Sequence, residues 1–227
     1  MRYLISIYLV ITLSGCAVVS VSQHQGAEPL GEGAVRITGG IGLGRDMAEG
    51  TIYAPDQDED SDFSYGFPLF EAGIGVGITE TIDLGGMLWT SIGSAGLRTY
   101  GKFSFHSPPS KTYYAFAPAI VYNQTDEYNY RLIGVEVPLL VSYRATSTVA
   151  FYGSGRVHLY TMSIDDPSLT DGRESFFLAM PGITTGIQLG PQGLKLTPEV
   201  STFFIYDRIR ESGSIRFFPN IGLSIRF

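Results

Sequence analysis

The chain has 227 residues, a formal net charge of −7, one cysteine, 28 glycines, and 14 each of tyrosine and phenylalanine. The negative charge argues against a nucleic-acid partner. Beyond the first fifteen residues no segment keeps a 3.6-residue apolar period, so helical bundles are excluded and one large β domain is expected.

In chain order, residues 1–15 have the form of an export leader. Arg2 supplies a short basic region and residues 4–13 an apolar run. That run is too short for a membrane-spanning helix, which needs roughly 20 apolar residues. It ends in Leu13-Ser14-Gly15-Cys16, which resembles the bacterial lipobox. The resemblance implies removal of residues 1–15 and a diacylglycerol thioether on Cys16. Ala17 follows, where an Asp would favour inner-membrane retention, so the same resemblance implies the outer membrane. A lipidated Cys16 leaves no thiol for a disulfide, a zinc site or a nucleophile. Residues 16–32 are polar, contain Gly and Pro and show no periodicity. They are expected to form a lipidated periplasmic tether.

Residues 33–227 are predicted to be an all-β domain, an antiparallel up-and-down transmembrane barrel of ten strands: 33–44, 65–79, 81–93, 96–105, 112–123, 130–145, 148–162, 174–190, 194–206 and 214–227. Each is long enough for a spanning strand, which needs about 9–11 residues. Connections alternate between long polar loops and tight turns, with a mild exception at 91–95. This is the asymmetry of extracellular loops and periplasmic turns. An even count puts both ends of the barrel on the periplasmic side, where a lipid on Cys16 would enter the inner leaflet. The first loop is strongly acidic, with Asp46, Glu49, Asp56, Asp58, Glu59, Asp60 and Asp62 against Arg45 alone.

Alternation separates two faces. In the last strand Ile215, Phe217, Pro219, Ile221, Leu223, Ile225 and Phe227 share one side; Arg216, Phe218, Asn220, Gly222, Ser224 and Arg226 share the other. Every mid-strand charge falls on the second kind of face: Arg36, Glu71, Asp83, Arg98, Lys102, Glu136, Arg156, Lys195, Glu199, Arg216 and Arg226. That face is also rich in Gly and Ala, which suits a confined lumen better than a solvated sheet surface. The apolar face then meets lipid, where an Arg or Lys at the midplane costs about 2–4 kcal/mol. Aromatics near strand ends, among them Trp89, Tyr113, Tyr114, Tyr122, Tyr130, Tyr143, Tyr160, Phe176, Phe177, Phe203, Phe204 and Tyr206, are expected to form interfacial girdles.

The closing stretch from Phe217 to Phe227 resembles that of small OmpA-like or opacity-type outer-membrane proteins, as does the hairpin Gly77-Ile78-Thr79-Glu80-Thr81-Ile82-Asp83-Leu84-Gly85. In that family Phe227 with Ile225 and Leu223 would be the signal read by the barrel-assembly machinery. The commonest members have eight strands, so eight is the alternative count. The partners implied are outer-membrane lipid and the barrel-assembly and lipoprotein-sorting machineries.

The eleven lumen charges could line an anion-preferring gate or form an ion-pair network that fills a narrow barrel; the second is favoured. The run Asp56 to Asp62 alternates carboxylates, but Ser61 and Phe67 stand where a calcium loop of the helix–loop–helix type needs Gly and Glu. No metal or cofactor is expected. Of the three histidines, His24 falls in the tether and His106 in a short turn. His158 falls on the lumen face with Ser154 and Arg156, with no nucleophile at a recognised spacing. The expectation is therefore a non-enzymatic, lipid-anchored barrel that presents loops outside, in an adhesin or envelope role. A narrow passive pore and a rim-active enzyme using His158 are the alternatives.

Overall fold

Residues whose side chains alternate in polarity form strands because a pleated chain sends successive side chains to opposite faces. A computed structural model of the protein describes residues 18–46, 67–91, 93–105, 110–125, 130–164, 174–207 and 211–227. The strands are β1 (Val18–Val19), β2 (Val35–Asp46), β3 (Phe67–Gly77), β4 (Ile82–Ser91), β5 (Ser94–Phe105), β6 (Thr112–Phe116), β7 (Ala119–Thr125), β8 (Tyr130–Arg144), β9 (Val149–Ile164), β10 (Glu174–Leu189), β11 (Leu194–Asp207) and β12 (Ser212–Arg226). Sequential neighbours pair antiparallel. β6 and β7 act as one strand, since both lie between β5 and β8. Their break falls at Ala117-Pro118, where proline has no N–H to give a ladder. β12 returns to β2, from Asn220 opposite Gly42 to Arg226 opposite Arg36, and closes the barrel. With β6 and β7 counted together and β1 outside the wall, the barrel has ten strands, not eight.

One end carries the short connections. Ile78 donates to Ile82 O at 2.8 Å and Ala145 to Val149 O at 3.0 Å. Thr79 and Thr146 hydroxyls accept from the amides two and three residues on. The other end bears the longer connections after β2, β9 and β11, together with those after β4 and β7.

The two faces fall as the alternation predicts. Phe70, Ile74, Ile133, Leu139, Ile183, Phe217 and their neighbours point outward and are exposed, whereas Glu71, Asp83, Arg98, Lys102, Glu136, Arg156 and Glu199 are buried inside. The aromatics divide. Tyr114, Tyr122, Tyr143, Phe177, Phe204 and Tyr206 are exposed on the exterior, but Trp89, Tyr130, Tyr160, Phe176 and Phe203 are buried in the lumen rather than in a girdle. They are needed there because the outer half of the lumen holds an apolar cluster.

The largest departure from expectation is the segment before β2. Residues 18–32 are not a tether hanging in the periplasm. Val18 and Val19 pair with Asp46 and Arg45 at the long-loop end, beyond the points where β3 and β12 stop pairing with β2. From there the chain descends through the lumen, buried from Val19 to Ala27 and again at Leu30. It turns at Gly31 and Gly33, with φ of +84° and +73°, and climbs back as β2. Such φ values cost little only for glycine. The physical reason lies in the opposite walls. A Cβ on Gly40 would sit 2.6 Å from His24 Nε2, and one on Gly222 would sit 2.7 Å from His24 Nδ1. The small residues of the lumen face make room for residues 19–30 folded back inside.

Candidate functional site

An extended segment alone in a barrel has no neighbouring strand edge, so its amides and carbonyls need side-chain partners. The lumen charges supply them, in three tiers.

In the outer tier Val19 and Val21 join the apolar cluster of Leu69, Trp89, Val121, Leu132 and Tyr160. The middle tier is built on Glu136 of β8. Its carboxylate accepts from Arg98 and Arg156, each at 3.3 Å, and from the Tyr160 hydroxyl at 2.8 Å. The two guanidinium groups each have a second partner on the segment: Arg98 donates to Ser22 O at 2.8 Å and Arg156 to Val21 O at 2.6 Å. Ser201 also donates to Val21 O. Carboxylates hold the other side. Ser20 and Ser22 donate to Glu71, and the backbone amides of Gln23 and His24 donate to Glu199 at 2.6 and 2.8 Å. Tyr152 donates to Glu199 as well. The His24 ring lies between the two acids, 2.7 Å from Glu71 and 3.7 Å from Glu199.

In the tier nearest the short turns, Lys102 pairs with Asp83 at 2.8 Å and donates to Glu28 O at 2.6 Å. Asp83 accepts from the Leu30 amide at 3.0 Å, and Ser142 accepts from Ala27 at 2.7 Å. Arg36 reaches Gln25, and Arg144 pairs with Glu28. Glu199 and Asp83 face amides, Arg98, Arg156 and Lys102 face carbonyls, and Glu71 faces hydroxyls and the His24 ring, which is how buried charges are held without a large desolvation penalty.

Seven of the eleven charges singled out in the sequence, Glu71, Asp83, Arg98, Lys102, Glu136, Arg156 and Glu199, thus converge on the segment, and half-buried Arg36 joins them. The other three do not. Lys195 donates to Gly190 O in a turn, Arg226 is exposed on the rim, and Arg216 is half-buried opposite Phe203. Leu223, Ile225 and Phe227 point outward. Cys16, His106 and most of the acidic first loop lie outside the described residues. His158 is fully buried, bonded to Tyr160 at 2.9 Å and packed on Phe203 with centroids 4.6 Å apart. Among the described residues no group of His, Cys, Asp and Glu could hold a metal. The residues that sequence reasoning missed are those of the segment, Ser20 to Gln25. The alternation Val19-Ser20-Val21-Ser22 was the available signal.

The exterior can be tested directly. Val137 lies midway along β8 and faces outward. Val137→Arg is expected to destabilise the barrel in phospholipid vesicles by about 2–4 kcal/mol. Urea titration would read this; an unchanged midpoint would mean that water, not lipid, covers that face.

A closed antiparallel barrel with an apolar exterior and charges confined inside defines the class of outer-membrane β-barrels. Three solved structures are similar in fold. They are Ail, the attachment invasion locus protein of Yersinia pestis (12% identity, TM-score 0.37, 86% of this chain and 99% of that one); the N-terminal β-barrel domain of Pseudomonas aeruginosa OprF (15%, 0.34, 87% and 99%); and neisserial surface protein A, NspA (14%, 0.40, 86% and 96%). No protein-family model matches the chain, and no curated protein matches it.

Proposed function

We propose that the protein is a non-catalytic outer-membrane barrel, closed by its own N-terminal segment, that presents its long loops at the cell surface in an adhesin or envelope role. One observation carries this reading: residues 19–30 occupy the lumen, and Glu199, Asp83, Arg98, Arg156 and Lys102 of the wall are bonded to their backbone. Cavities bordering the segment measure about 10 Å³ beside His24 and about 60 Å³ beside Pro29. Cavities of this size have room for single waters at most, not for a solute path. A pore would need its charges facing water, and a rim enzyme would need an accessible base, whereas His158 has 0% exposure.

Planar-bilayer recording separates the readings. The full chain is expected to stay silent, and a variant lacking residues 19–30 to give discrete, salt-dependent steps. Steady conductance from the full chain would overturn the closed-barrel reading in favour of a narrow passive pore.

A further inference from the structure

The direction of the lumen segment sets which side of the membrane the mature amino terminus occupies. Val18 and Val19 are paired to the last two residues of β2, immediately before the longest connection. Leu30 and the Gly31–Gly33 turn are at the opposite end, where Gly33 donates to Gly77 O and Val35 to Phe227 O. Long connections mark the extracellular end of such barrels and short turns the periplasmic end. The segment therefore runs from outside to inside.

Chain reach decides the rest. Cys16 lies two residue steps before Val18, with only Ala17 between them, and those steps span at most about 7 Å when extended. The apolar band of a barrel is about 25 Å tall. A chain fixed at Val18 cannot bring Cys16 back to the periplasmic leaflet.

We infer that the polypeptide preceding Val18 is displayed at the cell surface, and that an acyl group carried on Cys16 meets the outer leaflet instead of the inner one. The barrel wall delivers its own N-terminus across the membrane. Position 16 would anchor the protein against lipid on the side where its acidic loop also emerges. The inference rests on the lumen-filling reading above, so its test reads the two separately.

A short epitope is inserted between Ala17 and Val18 of the full chain. Matching insertions are made at residue 55 in the first loop and at residue 192 in the 190–193 turn. Intact cells are expected to bind antibody at the first two positions, and at 192 only after the outer membrane is permeabilised. In parallel, His24→Cys with Gly222→Cys probes the seat of the segment, since a Cβ on Gly222 lies 2.8 Å from the His24 ring carbon. An intramolecular disulfide, read on a non-reducing gel, is expected in most of the folded protein. If the disulfide forms but the 17/18 epitope is reached only after permeabilisation, the sidedness inference is overturned and the filled lumen stands. If the disulfide fails to form in folded barrels, both fall.

Discussion

Glu136→Ala is expected to lower the stability of the refolded barrel by about 3–5 kcal/mol, because it strips the shared counter-charge from two buried guanidinium groups. Arg98 and Arg156 both lean on one oxygen of Glu136, and Tyr160 on the other. Neither arginine can turn to water: they are 5% and 2% exposed. Each keeps a bond to a segment carbonyl, so the loss also reaches Val21 and Ser22. Glu136→Gln, which retains an acceptor without the charge, should fall between wild type and Ala. Urea unfolding followed by the gel-mobility shift between folded and heated forms reads the series. A Glu136→Ala barrel as stable as wild type would show that the middle tier is not what holds the segment.

The second large effect is expected from Gly77→Ala. An added Cβ would lie 1.8 Å from the carbonyl oxygen of Gly31 and 2.7 Å from its carbon. These are backbone atoms, and the turn they belong to already relies on positive φ at Gly31 and Gly33. The turn must move, which breaks the bonds from Gly33 to Gly77 O and from Gly77 to Ala34 O, at 2.9 and 2.8 Å. Overpacking of this kind costs about 1–3 kcal/mol, and each lost bond about 1 kcal/mol more. The same substitution at Gly155, whose added Cβ meets nothing within 4 Å, should be near neutral. Protease nicking of residues 18–32 in intact folded barrels would register the displaced turn; equal resistance of the Gly77→Ala and Gly155→Ala proteins would count against it.

The barrel was legible in the sequence because two independent patterns agree. The period-two alternation of β12, Ile215 to Phe227, sorts exterior from lumen, and turn residues such as Gly190-Pro191-Gln192-Gly193 mark where strands reverse. The filled lumen was less legible. Composition revealed that one face was small and charged, yet the partner of that face was the stretch that looked least structured. Ser20 to Leu30 lacks the length of apolar alternation that marks a strand, because it pairs with side chains instead of a neighbouring strand. Its fold is set by residues as distant in sequence as Glu199 and Ser201. Trp89, Tyr160 and Phe203 misled for a related reason. An aromatic near a strand end suits an interface with headgroups as well as it suits an apolar plug, and only the presence of Val19 and Val21 inside decides between them.

The seam between β12 and β2 runs from Asn220 to Arg226 and ends in the Phe227–Val35 bonds, whereas β12 pairs with β11 from Ser212 to Ile225. That seam closes a ring around residues 19–30, so the segment is threaded through a closed barrel. A bulky group on the amino terminus cannot be drawn through a lumen already full of side chains. A ring closed around the segment can release it sideways by parting here, where the pairing covers about half of β12. Parting of the seven residue pairs of this seam is then a route by which the closed state is lost, alongside loss of the lumen contacts built on Glu136.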